Sequence, residues 1–304
     1  MAATVCAAIV VSCSGGNGIP DGSKIIFIGN SMLFYGGIVQ NGNQCHPDSG
    51  MMYRSLCVDG IDAEVYDCTY GGHHLKDFTE KGCVWSERHG DPEGPQKPSG
   101  GCAGCGTDLL DSLDLASFDY VFISEAGNNY ESFHDDAVAV FRRFRSVNPK
   151  VRCFYVNHIY SVYKDHQNVL SSLRRLHDED SVTIVNCGQL AYDIYTGAVK
   201  VPGGHIEYED RYTFTNHTDK DTFHPNPLMG WIMTQMCRYA LTGKAPLDAS
   251  VAKECNYAGG SVSFGDYYEK FYTHPAAVPF TEVMDDRSEM CGIAAILPKY
   301  LDIW

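Results

Sequence analysis

The chain has 304 residues, 44% of them hydrophobic and 12% aromatic, enough apolar mass to fill one large α/β domain and too much for a wholly disordered chain. Against 23 basic side chains stand 38 acidic ones, for a formal charge of −15. That balance argues against a nucleic-acid partner and against docking on anionic lipid by charge, because both need a basic face.

Residues 1–20 read as a leader. An apolar run from Ala2 to Val11 followed by small residues resembles an export signal, although the first Lys or Arg is Lys24. The run is too short to span a bilayer. Val10-Val11-Ser12-Cys13 resembles a lipobox, so the expected location is extracellular or, as a lipoprotein, the cell envelope. No integral membrane span is expected.

After the leader, short apolar runs alternate with helical patterns. Lys24 to Gly29 is a continuous apolar strand, Gly50 to Asp59 a helix, and Ala63 to Tyr70 a second strand. Phe118 to Ser124 forms a third strand, followed by a helix from about Ser132 to Val147 that Pro149 stops. Arg152 to Ile159 is the fourth strand, Asp165 to Asp178 has helical period, and Val182 to Cys187 is the fifth strand. A helix through Leu190 to Tyr195 follows, and Pro227 to Thr242 reads as a long amphipathic helix ending at Gly243. Buried strands separated by helices predict an α/β fold: three layers, α/β/α, around a central parallel sheet of about five strands. The expected domain spans 21–245, with a Cys/Gly/Pro-rich insertion at 81–106. Residues 246–304 are expected as a C-terminal appendage packed on the same domain.

Thirteen cysteines are many for this length. If Cys6 and Cys13 belong to the leader, the remaining number is odd and cannot pair fully within one molecule. Cys83, Cys102 and Cys105 cluster in the insertion, with Cys102-Ala-Gly-Cys105 at metal-knuckle spacing and Cys68 or His89 as candidate fourth ligands. Disulfides, a structural zinc and free thiols all remain open.

Ligands of open α/β sheets bind beyond the carboxyl ends of the strands, so chemistry is sought there. The first strand is followed by Gly29-Asn30-Ser31, and the second by Tyr70-Gly71-Gly72-His73-His74. The third is followed by Gly127-Asn128-Asn129, and the last long helix is preceded by Asp221-Thr222-Phe223-His224. Singly, each piece has a plain structural use. A Ser between strand and helix is usually an N-cap, a Gly pair a turn, and an Asn after a strand an Asx-turn. Their joint order is far more specific.

Taken together, the blocks resemble the SGNH (GDSL-like) hydrolase superfamily over residues 24 to 243, as a divergent bacterial branch. The resemblance implies a flavodoxin-like sheet and a serine esterase. Ser31 is then the nucleophile, His224 the base and Asp221 its orienter. The oxyanion hole would comprise the Ser31 and Gly72 backbone amides and the Asn128 side chain, with Gly71 and Asn129 as alternative donors. This sequence departs from the family pattern in having Asn30 where an acidic residue is usual, and Gly-Asn-Asn in the third block. The implied substrate is a carboxylic ester, such as an acyl group on a glycan or a small ester, with no cofactor and no catalytic metal. A catalytically inactive SGNH-fold carbohydrate-binding protein is the alternative.

The residue types suit acyl transfer. A serine hydroxyl needs an adjacent base to remove its proton, and an imidazole with an ordinary pKa of about 6.5 is suited to it. His73 and His74 adjoin the oxyanion hole and are candidate substrate contacts, or simply a solvated turn. His46, His205 and His217 show no partner in the sequence, and Asn216-His217-Thr218 is a glycosylation sequon.

Overall fold

The computed structural model describes residues 18–39, 50–69, 72–79, 110–111, 113–125, 133–164, 166–208, 210–216, 223–247 and 280–303. Nearly all of the leader lies outside these residues, as do the 81–106 insertion with Cys83, His89, Cys102 and Cys105, and residues 248–279 of the appendage.

Five runs rich in branched and aromatic residues form one parallel sheet: β1 (Ser23–Gly29), β2 (Ala63–Thr69), β3 (Tyr120–Ile123), β4 (Arg152–Val156) and β5 (Thr183–Val185). Their order is β2-β1-β3-β4-β5. The chain therefore starts in the interior of the sheet, steps to one edge, then crosses β1 to build the other side. The reversal leaves a crevice beyond the carboxyl ends of β1 and β3, where ligands of such sheets bind.

The connecting segments are α1 (Ser31–Phe34), α2 (Gly50–Val58), α3 (Phe133–Val147), α4 (Ile159–Lys164), α5 (His166–Asp178), α6 (Cys187–Tyr195) and α7 (Pro227–Thr242), followed by α8 (Phe280–Asp285) and α9 (Arg287–Ile296). Strand side chains alternate between faces, so two cores form. Ile25, Phe27, Phe122 and Phe154 meet Leu33, Leu56, Leu190 and Trp231 on one side. Ile26, Ile28, Val121 and Ile123 meet Phe78, Phe141, Phe144 and Leu173 on the other. This is the three-layer arrangement that the alternation predicts. Register supports it directly: Phe27 pairs with Phe122 and Phe122 with Phe154. Their rings stack at 4.7 and 4.3 Å between centroids.

Some boundaries differ from the sequence expectation. The fourth strand ends at Val156 rather than Ile159, turning Asn157 and His158 into the carboxyl edge of the sheet. The helix α7 keeps its predicted limits, with Asn226 as N-cap, Pro227 in the first turn and Gly243 in a left-handed C-cap. It is not amphipathic in use, being buried on nearly every side. One reason is that α8 and the turn at Leu297–Tyr300 also cover it; a pattern of periods cannot announce such late partners. Leu301 bridges Val185, and Asp302 N–H donates to Ile184 O, so the chain end covers the free edge of β5. Cys57, Cys153, Cys187, Cys237 and Cys291 are free thiols.

Candidate active site

Strand β1 delivers the chain into a tight turn at Gly29-Asn30, and α1 begins at Ser31. The N-cap is Asn30, whose Oδ1 accepts from Met32 N–H at 3.0 Å. The Ser31 hydroxyl therefore has no capping duty, which is the plain structural use of a serine here. Asn30 Nδ2 donates to His73 O at 2.9 Å, joining the ends of β1 and β2. An aspartate could not make that donation, which gives the Asn at this position a physical reason.

His224 comes from far along the chain. Residues 214–216 and 224–226 run antiparallel, with Asn216 N–H donating to His224 O at 2.8 Å and Asn226 N–H donating to Phe214 O at 3.2 Å. Asn226 also donates from Nδ2 to Thr213 O and caps α7 through Oδ1. This short ladder fixes the backbone of His224. Its ring lies between Tyr35 and Phe223, with centroids 3.8 and 4.2 Å away. His224 Nε2 lies 2.7 Å from Ser31 Oγ, and both residues are part-exposed. Its Nδ1 edge is buried.

The second strand ends in the turn carrying Gly72, whose φ of +74° suits glycine and strains other residues. His73 is buried, its ring packed near Phe78, rather than solvated. His74 Nδ1 lies 2.7 Å from Glu125 Oε1, at the end of β3. Because a carboxylate only accepts, His74 Nδ1 carries the proton. Beside this pair, His158 Nε2 donates to Glu125 O at 2.7 Å. Complete burial holds the His158 imidazole down at about 4, with nearby His224 adding a smaller lowering effect.

The structure thus brings Ser31 and His224 together and places Gly72 in a turn tied to Asn30 through His73. Asp221, Asn128, Asn129 and Gly71 lie outside the described residues, as do His46 and His217. His205, which shows no partner in the sequence, lies 3.6 Å from both Asp286 and Glu289. Glu125, His158 and Tyr35 escaped the sequence reading. Glu125 does directly follow an apolar strand, a signal that could have drawn attention to it. Among the described residues, His134, Glu179 and Asp180 form the one group able to offer a metal three ligand atoms, and His134 already pairs with Asp180 at 2.9 Å.

No protein-family model and no curated protein sequence matches the chain. Solved structures do resemble it. A Parabacteroides merdae protein described as a GDSL-like lipase is 15% identical, over 74% of this chain and 97% of its own, with a TM-score of 0.47. A family 2 carbohydrate esterase with a carbohydrate-binding domain, from Corynascus thermopiles (Myceliophthora fergusii), is 13% identical over 77% and 67%, with a TM-score of 0.41. An Enterococcus faecalis lipase/acylhydrolase is 10% identical over 75% and 100%, with a TM-score of 0.44. At such identities and scores, fold and chemistry rest on this chain's own strands and side chains.

Proposed function

We propose that the protein is a serine hydrolase of the SGNH type that cleaves carboxylic esters. The observation that carries the proposal is the 2.7 Å approach of His224 Nε2 to Ser31 Oγ at the crevice of the parallel sheet. A free hydroxyl attacks poorly, and an imidazole within hydrogen-bond reach is the group that activates it.

In the proposed reaction His224 Nε2 takes the Ser31 proton as Oγ attacks the ester carbonyl. The tetrahedral oxyanion is held by the Ser31 and Gly72 backbone amides and the Asn128 side-chain amide. Collapse expels the alcohol, which receives the proton from His224 and leaves an acyl-Ser31. Water then attacks with His224 again as base, releasing the acid and restoring the hydroxyl. Asp221, three residues before His224, is assigned to orient the imidazole and stabilise its charged form, as in other triads. The stacking of Tyr35 on His224 supports the same assignment, because a base held in one plane is already positioned for transfer. Acyl groups on glycans or small esters are the proposed substrates.

The test is labelling by a fluorophosphonate probe together with hydrolysis of p-nitrophenyl acetate. Wild-type protein is expected to label and turn over, whereas Ser31→Ala and His224→Ala, folded by circular dichroism, lose both. Equal turnover by wild type and Ser31→Ala would refute the assignment.

A further inference from the structure

Strand order places β1 between β2 and β3, so any bond joining the ends of β2 and β3 must cross the carboxyl end of β1. Among the described residues, Glu125 makes that crossing. Glu125, two residues past the end of β3 and only 2% exposed, accepts from His74 Nδ1 at 2.7 Å and from Leu75 N–H at 2.9 Å. Both donors therefore sit on the turn that carries Gly72. The carboxylate is itself held from behind, because His158 Nε2 donates to the Glu125 carbonyl at 2.7 Å. The turn is also tied by Asn30 Nδ2 to His73 O at 2.9 Å and by His74 N–H to Asp77 Oδ2 at 2.8 Å.

We propose that Glu125 is a positioning residue for ester hydrolysis, a strut across the end of β1 that sets the Gly72 amide against the Ser31 hydroxyl. This rests on the serine-hydrolase reading and deepens it. Helix packing does not explain the strut, since a buried carboxylate is costly unless its oxygens are occupied by donors. Here each oxygen has one, and both donors come from the same turn. A cheaper apolar residue would fill the space but would leave Leu75 N–H and His74 Nδ1–H unbonded and the turn held from one side only. An oxyanion donor acts only when aimed at the developing charge, and a displacement of about 1 Å costs up to about a hundredfold in rate.

The experiment compares wild type with Glu125→Gln, Glu125→Ala and His74→Ala, using p-nitrophenyl acetate kinetics and inhibition by phenylboronic acid, which forms a tetrahedral adduct on the serine. Folded fraction is fixed by circular dichroism and thermal melting. The strut predicts that Glu125→Gln, which keeps one acceptor, lowers kcat about tenfold, and that Glu125→Ala lowers it about a hundredfold. KM stays within about twofold, and boronate affinity falls in step with kcat. If Glu125→Ala does not fold, Glu125→Gln and His74→Ala carry the same comparison. A lowered melting temperature with wild-type kcat and boronate affinity per folded molecule overturns the strut. A wild-type protein that neither labels nor turns over removes the hydrolase reading, and this inference with it; wild-type turnover with unaffected Glu125 variants removes this inference alone.

Discussion

Tyr35 stands one helical turn after Ser31, and its ring lies flat on the imidazole of His224, 14° from parallel with centroids 3.8 Å apart. The segment that presents the hydroxyl thus also presents the plate against which the imidazole rests. Residues four apart share a helix face, so the arrangement follows from local geometry once His224 has arrived.

Tyr35→Ala is therefore expected to lower kcat about tenfold by freeing the imidazole to turn away from Ser31, with little change in KM. Tyr35→Phe keeps the ring and is expected to stay near wild type. Steady-state kinetics on p-nitrophenyl acetate decide the matter; equal rates for Ala and Phe would show that the stacking does not position the base.

The buried His158 makes stability depend on pH. Its folded-state value of about 4 lies below the ordinary value of about 6.5 that applies when the chain is unfolded. Between those values the unfolded chain binds more protons. The contribution is therefore complete above about pH 6.5 and is lost as pH falls toward 4, amounting to roughly 3 kcal/mol. Urea unfolding at pH 7 and pH 4.5 should show this fall in wild type and a visibly smaller one in His158→Gln. An identical pH dependence in both would exclude His158 as its source.

Gly230 on α7 and Gly36 after α1 touch backbone to backbone. A Cβ added at Gly230 would come within 1.7 Å of Gly36 O, which is main chain and cannot swing aside. Gly230→Ala is expected to destabilise by about 3 kcal/mol, measured by denaturant unfolding, and to reduce esterase activity by shifting α7. A wild-type unfolding midpoint would show that this contact yields easily.

Arg238 on α7 is 2% exposed and holds Asp59, just past α2, through two hydrogen bonds of 2.6 Å. Removing one partner leaves a buried charge with poor compensation. Asp59→Asn is expected to cost about 3–5 kcal/mol at pH 7, whereas a surface pair such as Lys24–Glu64 would contribute at most about 1 kcal/mol. Chemical denaturation of Asp59→Asn and Glu64→Gln in parallel provides the check.

Local sequence was enough to determine the three-layer class, because short continuous apolar runs such as Lys24 to Gly29 are buried on both faces only when helices cover each side. It also determined the limits of α7, whose Asn226, Pro227 and Gly243 act on backbone within a turn of themselves. The motif order was sufficient to single out Ser31 and His224, 193 positions apart. What it could not contain was the meeting of residues from separate strand ends. Glu125 is an ordinary acid by sequence and gains its role only because β1 separates β2 from β3. Tyr35 gains a role only when His224 lies on it, and His158 only when the end of β4 is buried. Propensity and spacing act over a few residues, while these contacts depend on strand order and packing, which only the folded chain supplies.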